Sequence, residues 1–84
     1  MNKVVWSNTA LAQIRFIRAY IEHFNPKAAH QLAAGLIEAG NALMSLPHRG
    51  RVVPGTDKRE LVTAYPYIIR YHIVGDAVRI WGKA

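Results

Sequence analysis

After a short opening run, the spacing of apolar residues changes from helical to strand-like past Pro47, across His48-Arg49-Gly50-Arg51, and that change divides the chain into a helical half and a strand half. Before it, Ala10, Leu11, Ile14, Ile17, Ile21 and Phe24 recur at steps of three and four, the period of one helix face. Gln13, Arg15, Arg18 and Glu22 fall elsewhere on the wheel, so the spacing predicts an amphipathic helix over 8–24 with a basic outer edge. Asn25-Pro26 supplies a cap and then proline at the first helical position, where its missing N–H costs nothing. The second helix carries the stripe Ala29, Leu32, Ala33, Leu36, Ile37, Gly40, Leu43 and Met44 as its buried face until Pro47 closes it. Beyond Arg51 the period is that of strands: Val52-Val53, Arg59 to Tyr65, Tyr67 to Val74 and Ala77 to Trp81. Pro54-Gly55-Thr56-Asp57 separates the first two, and Gly75-Asp76 suits a two-residue hairpin turn with Gly where positive φ is needed. At the other end Lys3-Val4-Val5-Trp6 reads as a strand stopped by the capping residues Ser7-Asn8-Thr9.

The resulting order, β-α-α-β-β-β, describes an α+β fold of two layers, a helical hairpin packed on an antiparallel sheet. Eighty-four residues supply one small core, so 1–84 is expected to be a single domain. With 51% hydrophobic and only 19% charged residues the chain is far from the disordered class. No apolar run approaches the length of a spanning helix and no signal-peptide core opens the chain, so the expectation is a cytoplasmic protein with no membrane partner.

Chemistry is constrained mainly by what is missing. The chain has no cysteine, which removes disulfides, thiolate metal sites and a thiol nucleophile. The histidines at 23, 30, 48 and 72 lack the i, i+4 spacing of a helical zinc pair, so no metal and no cofactor is expected. Ser7 and Ser45 have no nucleophile elbow around them, and Gly50 and Gly55 belong to no phosphate-cradling motif. What remains is charge: eleven Lys plus Arg against five Asp plus Glu give a formal +6, and the natural partners of such a surface are polyanions. Arg49, Arg51, Lys58, Arg59, Arg70, Arg79 and Lys83 are interleaved with Tyr65, Tyr67, Tyr71 and Trp81, a pattern suited to single-stranded nucleic acid or an extended peptide. Alternation places Tyr67, Ile69, Tyr71 and Ile73 on one strand face, so Tyr67 and Tyr71 read as structural. Arg70 lies on the other face, where Glu60 on the adjacent strand reads as its structural counter-ion. Helix one offers only Arg15 and Arg18.

The ordered set Trp6-Ser7, Pro26-x-Ala28-Ala29, Leu46-Pro47-x-x-Gly50-Arg51, Gly55 followed by Arg59-Glu60-Leu61, and Pro66-Tyr67-Ile68-Ile69-Arg70-Tyr71-x-Ile73-x-Gly75-Asp76-x-Val78-x-Ile80 resembles the ParE/RelE toxin superfamily of type II toxin–antitoxin systems over nearly the whole chain. The resemblance implies a toxin neutralised by a cognate antitoxin, ParD-like or another acidic amphipathic protein, with operator DNA contacted only through the antitoxin complex. RelE-like members cut messenger RNA on the ribosome, and their Arg after the aromatic residue of the penultimate strand is replaced here by Ile68 after Tyr67. The resemblance therefore leans to ParE, whose members inhibit DNA gyrase by binding, with no catalytic residue. Under that reading Arg15, Arg18, Arg51, Arg59, Arg70, Arg79, Trp81 and Lys83 are the antitoxin- or target-binding candidates. Under the RelE-like alternative, Arg51, Arg59, Arg70 and Lys83 would hold phosphates and Tyr71 or His72 would move protons. ParE relatives usually carry a longer tail past the last strand. Gly82-Lys83-Ala84 is expected to hang beyond that strand, and the chain to bind antitoxin tightly while its toxicity is weak.

Overall fold

In the computed structural model, which describes residues 3–63 and 67–83, strand β1 (Lys3–Trp6) passes into helix α1 (Asn8–Glu22) through one residue. Ser7 Oγ accepts the Ala10 N–H at 3.0 Å, capping the helix, and donates to the Trp81 carbonyl oxygen at 2.7 Å. The cap is thereby tied to the far end of the chain. Asn25 repeats the device for α2 (Pro26–Asn41), its side chain accepting from Ala28 N–H at 3.0 Å with Pro26 in the first turn. A 3₁₀ turn (Ala42–Met44) ends the helical half.

Four strands follow, β2 (Arg51–Val52), β3 (Lys58–Val62), β4 (Ile68–Val74) and β5 (Ala77–Lys83), in a sheet of order β1-β5-β4-β3-β2. The pairs β2–β3, β3–β4 and β4–β5 are antiparallel. Gly75 makes the last hairpin with φ +59°, as its position between two apolar runs requires. β1 joins on the outside of β5 in parallel, Val5 beside Arg79, so the sheet is mixed rather than wholly antiparallel. Two helices separate β1 from the rest, and a crossover of that kind returns the chain in the same direction. The last strand also runs further than expected: Gly82 and Lys83 pair with Arg70 and Ile69 instead of hanging free. At Gly82 the strand passes close under α1, where the end of the Gln13 side chain lies against it. The Tyr65 end of the expected third strand, Pro66 and Ala84 lie outside the described residues.

The core between the layers contains Ala10, Leu43, Leu61, Ile69, Tyr71, Val78 and Ile80, with Val4, Trp6, Ala39 and Ile73 packed against it. Gly40 is the close-approach point of α2, since a Cβ there would collide with the Trp6 ring. Three residues assigned to buried stripes are exposed: Phe24, Ile37 and Met44. α1 ends at Glu22, so Phe24 leaves the wheel before it can reach the sheet. Ile37 lies about 100° around α2 from its buried neighbour Leu36. The tighter 3₁₀ turn rotates Met44 outward while Leu43 stays inside. Among the described residues no helix is long and apolar enough to cross a membrane.

Candidate functional site

Each of the five strands sends one cation to the sheet face opposite the helices: Lys3, Arg51, Lys58, Arg70 and Arg79. Register fixes this arrangement, with Lys58, His72 and Arg79 side by side in one row and Arg51, Glu60 and Arg70 in the next. Glu60 Oε1 accepts from Arg51 Nη2 and its Oε2 from Arg70 Nε, both at 3.0 Å. The Glu60 side chain is only 10% exposed. Its carboxyl is held below the usual range by the Arg51 hydrogen bond first, against a desolvation that pushes the other way, and then by Arg70. The Arg70–Glu60 pair read from the sequence is thus one arm of a three-residue bridge.

Trp81 stands on the same face at 50% exposure. The pairing of Tyr71 with Ile80 and Arg70 with Gly82 leaves Trp81 unpaired in a bulge, which re-aims its side chain. Its Nε1–H donates to His72 Nδ1, and Lys58 Nζ lies 5.0 Å from the indole centroid. The sequence pattern singled out Trp81 and Arg79 but could not bring Lys58 and His72 to them, because the bulge that does so leaves no signature in residue type.

On the helix side of the sheet, Tyr71 and Arg59 form a clasp. Tyr71 is 0% exposed; its hydroxyl donates to the Pro47 carbonyl oxygen and accepts the Gly50 N–H, each at 2.8 Å. Arg59 Nη1 donates to the Gly50 carbonyl oxygen at 2.8 Å and reaches that of His48. Together they pin the loop between the 3₁₀ turn and β2, and Gly50 is required because a Cβ there would stand 2.7 Å from the Tyr71 ring. Arg59 therefore faces away from Arg70, although the two occupy adjacent strands. Tyr67 is half-buried.

The outer surface of the helical layer has the opposite character. Phe16, Tyr20 and Phe24 are 73%, 61% and 75% exposed. Phe16 and Tyr20 lie four apart on α1, and Phe24, just past the end of the helix, extends the stripe by meeting Tyr20 edge-on with centroids 5.5 Å apart. Arg15 and Arg18 are exposed on the same helix, and Arg18 Nε is 3.8 Å from Glu22 Oε2. Ile37 and Met44 add exposed apolar area on the second helix and the turn that follows it. Where the wheel predicts a basic edge, the structure has an aromatic edge with basic flanks. The four-residue aromatic spacing was the available signal.

The candidates thus divide between surfaces: Arg51, Arg70, Arg79 and Trp81 share the outer sheet face, Arg15 and Arg18 belong to the helices, and Arg59 belongs to the clasp. Lys83 takes its place in β5 opposite Ile69. Among the described residues no three His, Asp or Glu side chains group as metal ligands would.

A family model described as the ParE toxin of the type II toxin-antitoxin system parDE matches residues 4–82. "Toxin RelE2" of Caulobacter vibrioides is 44% identical over 80 residues, covering 95% of this chain and 90% of that protein. "Putative toxin Y4kP" of Sinorhizobium fredii is 43% identical over 77 residues, covering 88% and 78% respectively. A solved chain from the chromosomal ParDE TA system of P. aeruginosa superposes with a TM-score of 0.86 at 18% identity, over 99% of this chain and 94% of its own, a likeness of fold.

Proposed function

The chain belongs to the ParE toxin family of type II toxin–antitoxin systems, and from that premise we propose that it acts by binding and inhibiting DNA gyrase in the cytoplasm. The observation that carries this reading is the Tyr71 clasp. In a ribonuclease Tyr71 or His72 would move protons, yet here both hydrogen-bonding positions of the Tyr71 hydroxyl are engaged by Pro47 and Gly50 in the core, and His72 Nδ1 accepts the Trp81 N–H. Arg59, a phosphate-holding candidate in the same scheme, is bonded to backbone carbonyls. A binding toxin needs neither group.

The cognate antitoxin, in this proposal, lays an amphipathic helix along the Phe16–Tyr20–Phe24 stripe, with acids opposite Arg15 and Arg18, and continues as an extended segment to the sheet rim near Arg70. Arg59 drops out of that footprint because the clasp holds it. An antitoxin affinity that ignored both salt and Arg70→Glu would refute the electrostatic part.

The name of the Caulobacter relative keeps a second reading in view, a ribosome-dependent mRNA endonuclease, and a toxin of reduced potency that chiefly binds its antitoxin is a third. Expression from a tightly controlled promoter, followed by assays of gyrase supercoiling and of ribosome-dependent mRNA cleavage, separates them. The proposal expects loss of supercoiling with intact mRNA; cleaved mRNA with normal supercoiling overturns it, and neither effect in the presence of antitoxin binding favours the third.

A further inference from the structure

We propose that the outer sheet face binds the phosphodiester backbone of duplex DNA, independently of base sequence, through Lys3, Arg51, Lys58, Arg70 and Arg79. The inference deepens the gyrase reading and rests on it for which duplex the toxin meets, namely the one the enzyme holds. Five strands set about 4.8 Å apart spread these cations over roughly 19 Å, a reach that covers several phosphates at about 3.4 Å of rise per strand. Their positions are fixed by backbone pairing, and Glu60 orients two guanidinium groups while leaving their remaining N–H donors to other partners. Lys3 and Arg79 line one recess with Asp76, and Lys58 is 3.7 Å from Asp57.

Charge density also separates this partner from an acidic protein. Protein–protein interface cores are depleted in charged residues, whereas nucleic-acid interfaces are polar and strongly positive. The exposed aromatic stripe that a protein partner would bury is on the helices, while the sheet face carries the separate valines Val5, Val62 and Val74 among its cations. A duplex is favoured over an unpaired strand because the Trp81 ring on this face is engaged: Lys58 sits over the indole and His72 takes its N–H, which makes it a spacer between cations more than an open stacking platform.

The test is fluorescence anisotropy of the whole chain, made by cell-free synthesis, with short duplexes of two unrelated sequences at 50 and 200 mM salt. Neutralising about four phosphates predicts equal affinity for both sequences and a loss of about 100-fold across that salt range. Lys3→Ala with Arg79→Ala should weaken binding at least tenfold and flatten the salt slope, while Arg15→Ala with Arg18→Ala, the same charge change on the helices, should do markedly less. Equal losses from the two pairs would reduce the effect to net charge and overturn the site, as would tighter binding of a single strand or of polyglutamate than of the duplex. Duplex binding without gyrase inhibition would keep this inference and end the gyrase reading; gyrase inhibition by a chain that ignores duplex DNA would do the reverse.

Discussion

The two exposed faces of this small molecule are built in opposite ways. On the helical layer Phe16, Tyr20 and Phe24 offer apolar area that the helix cannot bury, because the sheet already takes the face carrying Ala10 and Ile17. On the sheet layer each strand turns its core residues inward and a cation outward, and the outward set is cross-braced by Glu60. The first surface gains free energy by leaving water and suits a partner of complementary shape. The second gains it by charge and suits a partner defined by regular anionic spacing. A chain of 84 residues thus presents two chemically different outer faces, since its two layers have only one inner face each, and in the proposed footprints they meet at Arg70.

Loss of the aromatic stripe should have the largest consequence. Replacing Phe16, Tyr20 or Phe24 by Ala should leave the fold nearly as stable, because each is mostly solvated. Each replacement should weaken antitoxin binding by about 2 kcal/mol, roughly 30-fold, as buried interface anchors do. Titration calorimetry against the antitoxin measures it. Unchanged affinity in all three, with affinity lost on Arg70→Glu alone, would move the antitoxin to the sheet face.

The next effect concerns the clasp between the two faces. Tyr71→Phe leaves the Gly50 N–H without its acceptor in the core and should cost about 1–3 kcal/mol, a fall in melting temperature of about 4–8 °C per kcal/mol for a domain this size. Toxicity and antitoxin binding should persist below that temperature. Loss of toxicity with an unmoved melting temperature would make the hydroxyl chemical and restore the ribonuclease reading.

The layers were legible in the sequence because period is a local property: the change past Pro47, the Asn25-Pro26 cap and the Gly75 turn each depend on a few neighbouring residues. Glu60 opposite Arg70 was legible for the same reason, once two strands of known parity were placed side by side. The parallel attachment of β1 was not, since no residue type encodes which edge a strand joins. Nor was the Trp81 cluster, which depends on a bulge, or the clasp, which joins Tyr71 to backbone groups more than twenty residues away. Phe24 and Met44 were misplaced because a helical wheel assumes that the helix continues, and here it ends or tightens one turn too early.

A weaker dependence, on pH, follows from the Glu60 carboxylate. Glu60 has a folded-state pKa lowered by Arg51 and Arg70, so its contribution to stability is fully present above the unfolded glutamate value and disappears as pH falls through the folded one. Glu60→Gln should therefore lower the melting temperature at neutral pH, and the gap between variant and parent should close under acid conditions. Glu22→Gln, which breaks only an exposed pair on α1, should change stability by no more than about 0.5 kcal/mol. Protonating Glu60 also removes the one anion between Arg51 and Arg70, so affinity of the sheet face for a phosphate backbone should rise over the same pH range in the parent and stay flat in Glu60→Gln. A rise of equal size in both would place the titrating group elsewhere and leave the bridge with a purely structural part.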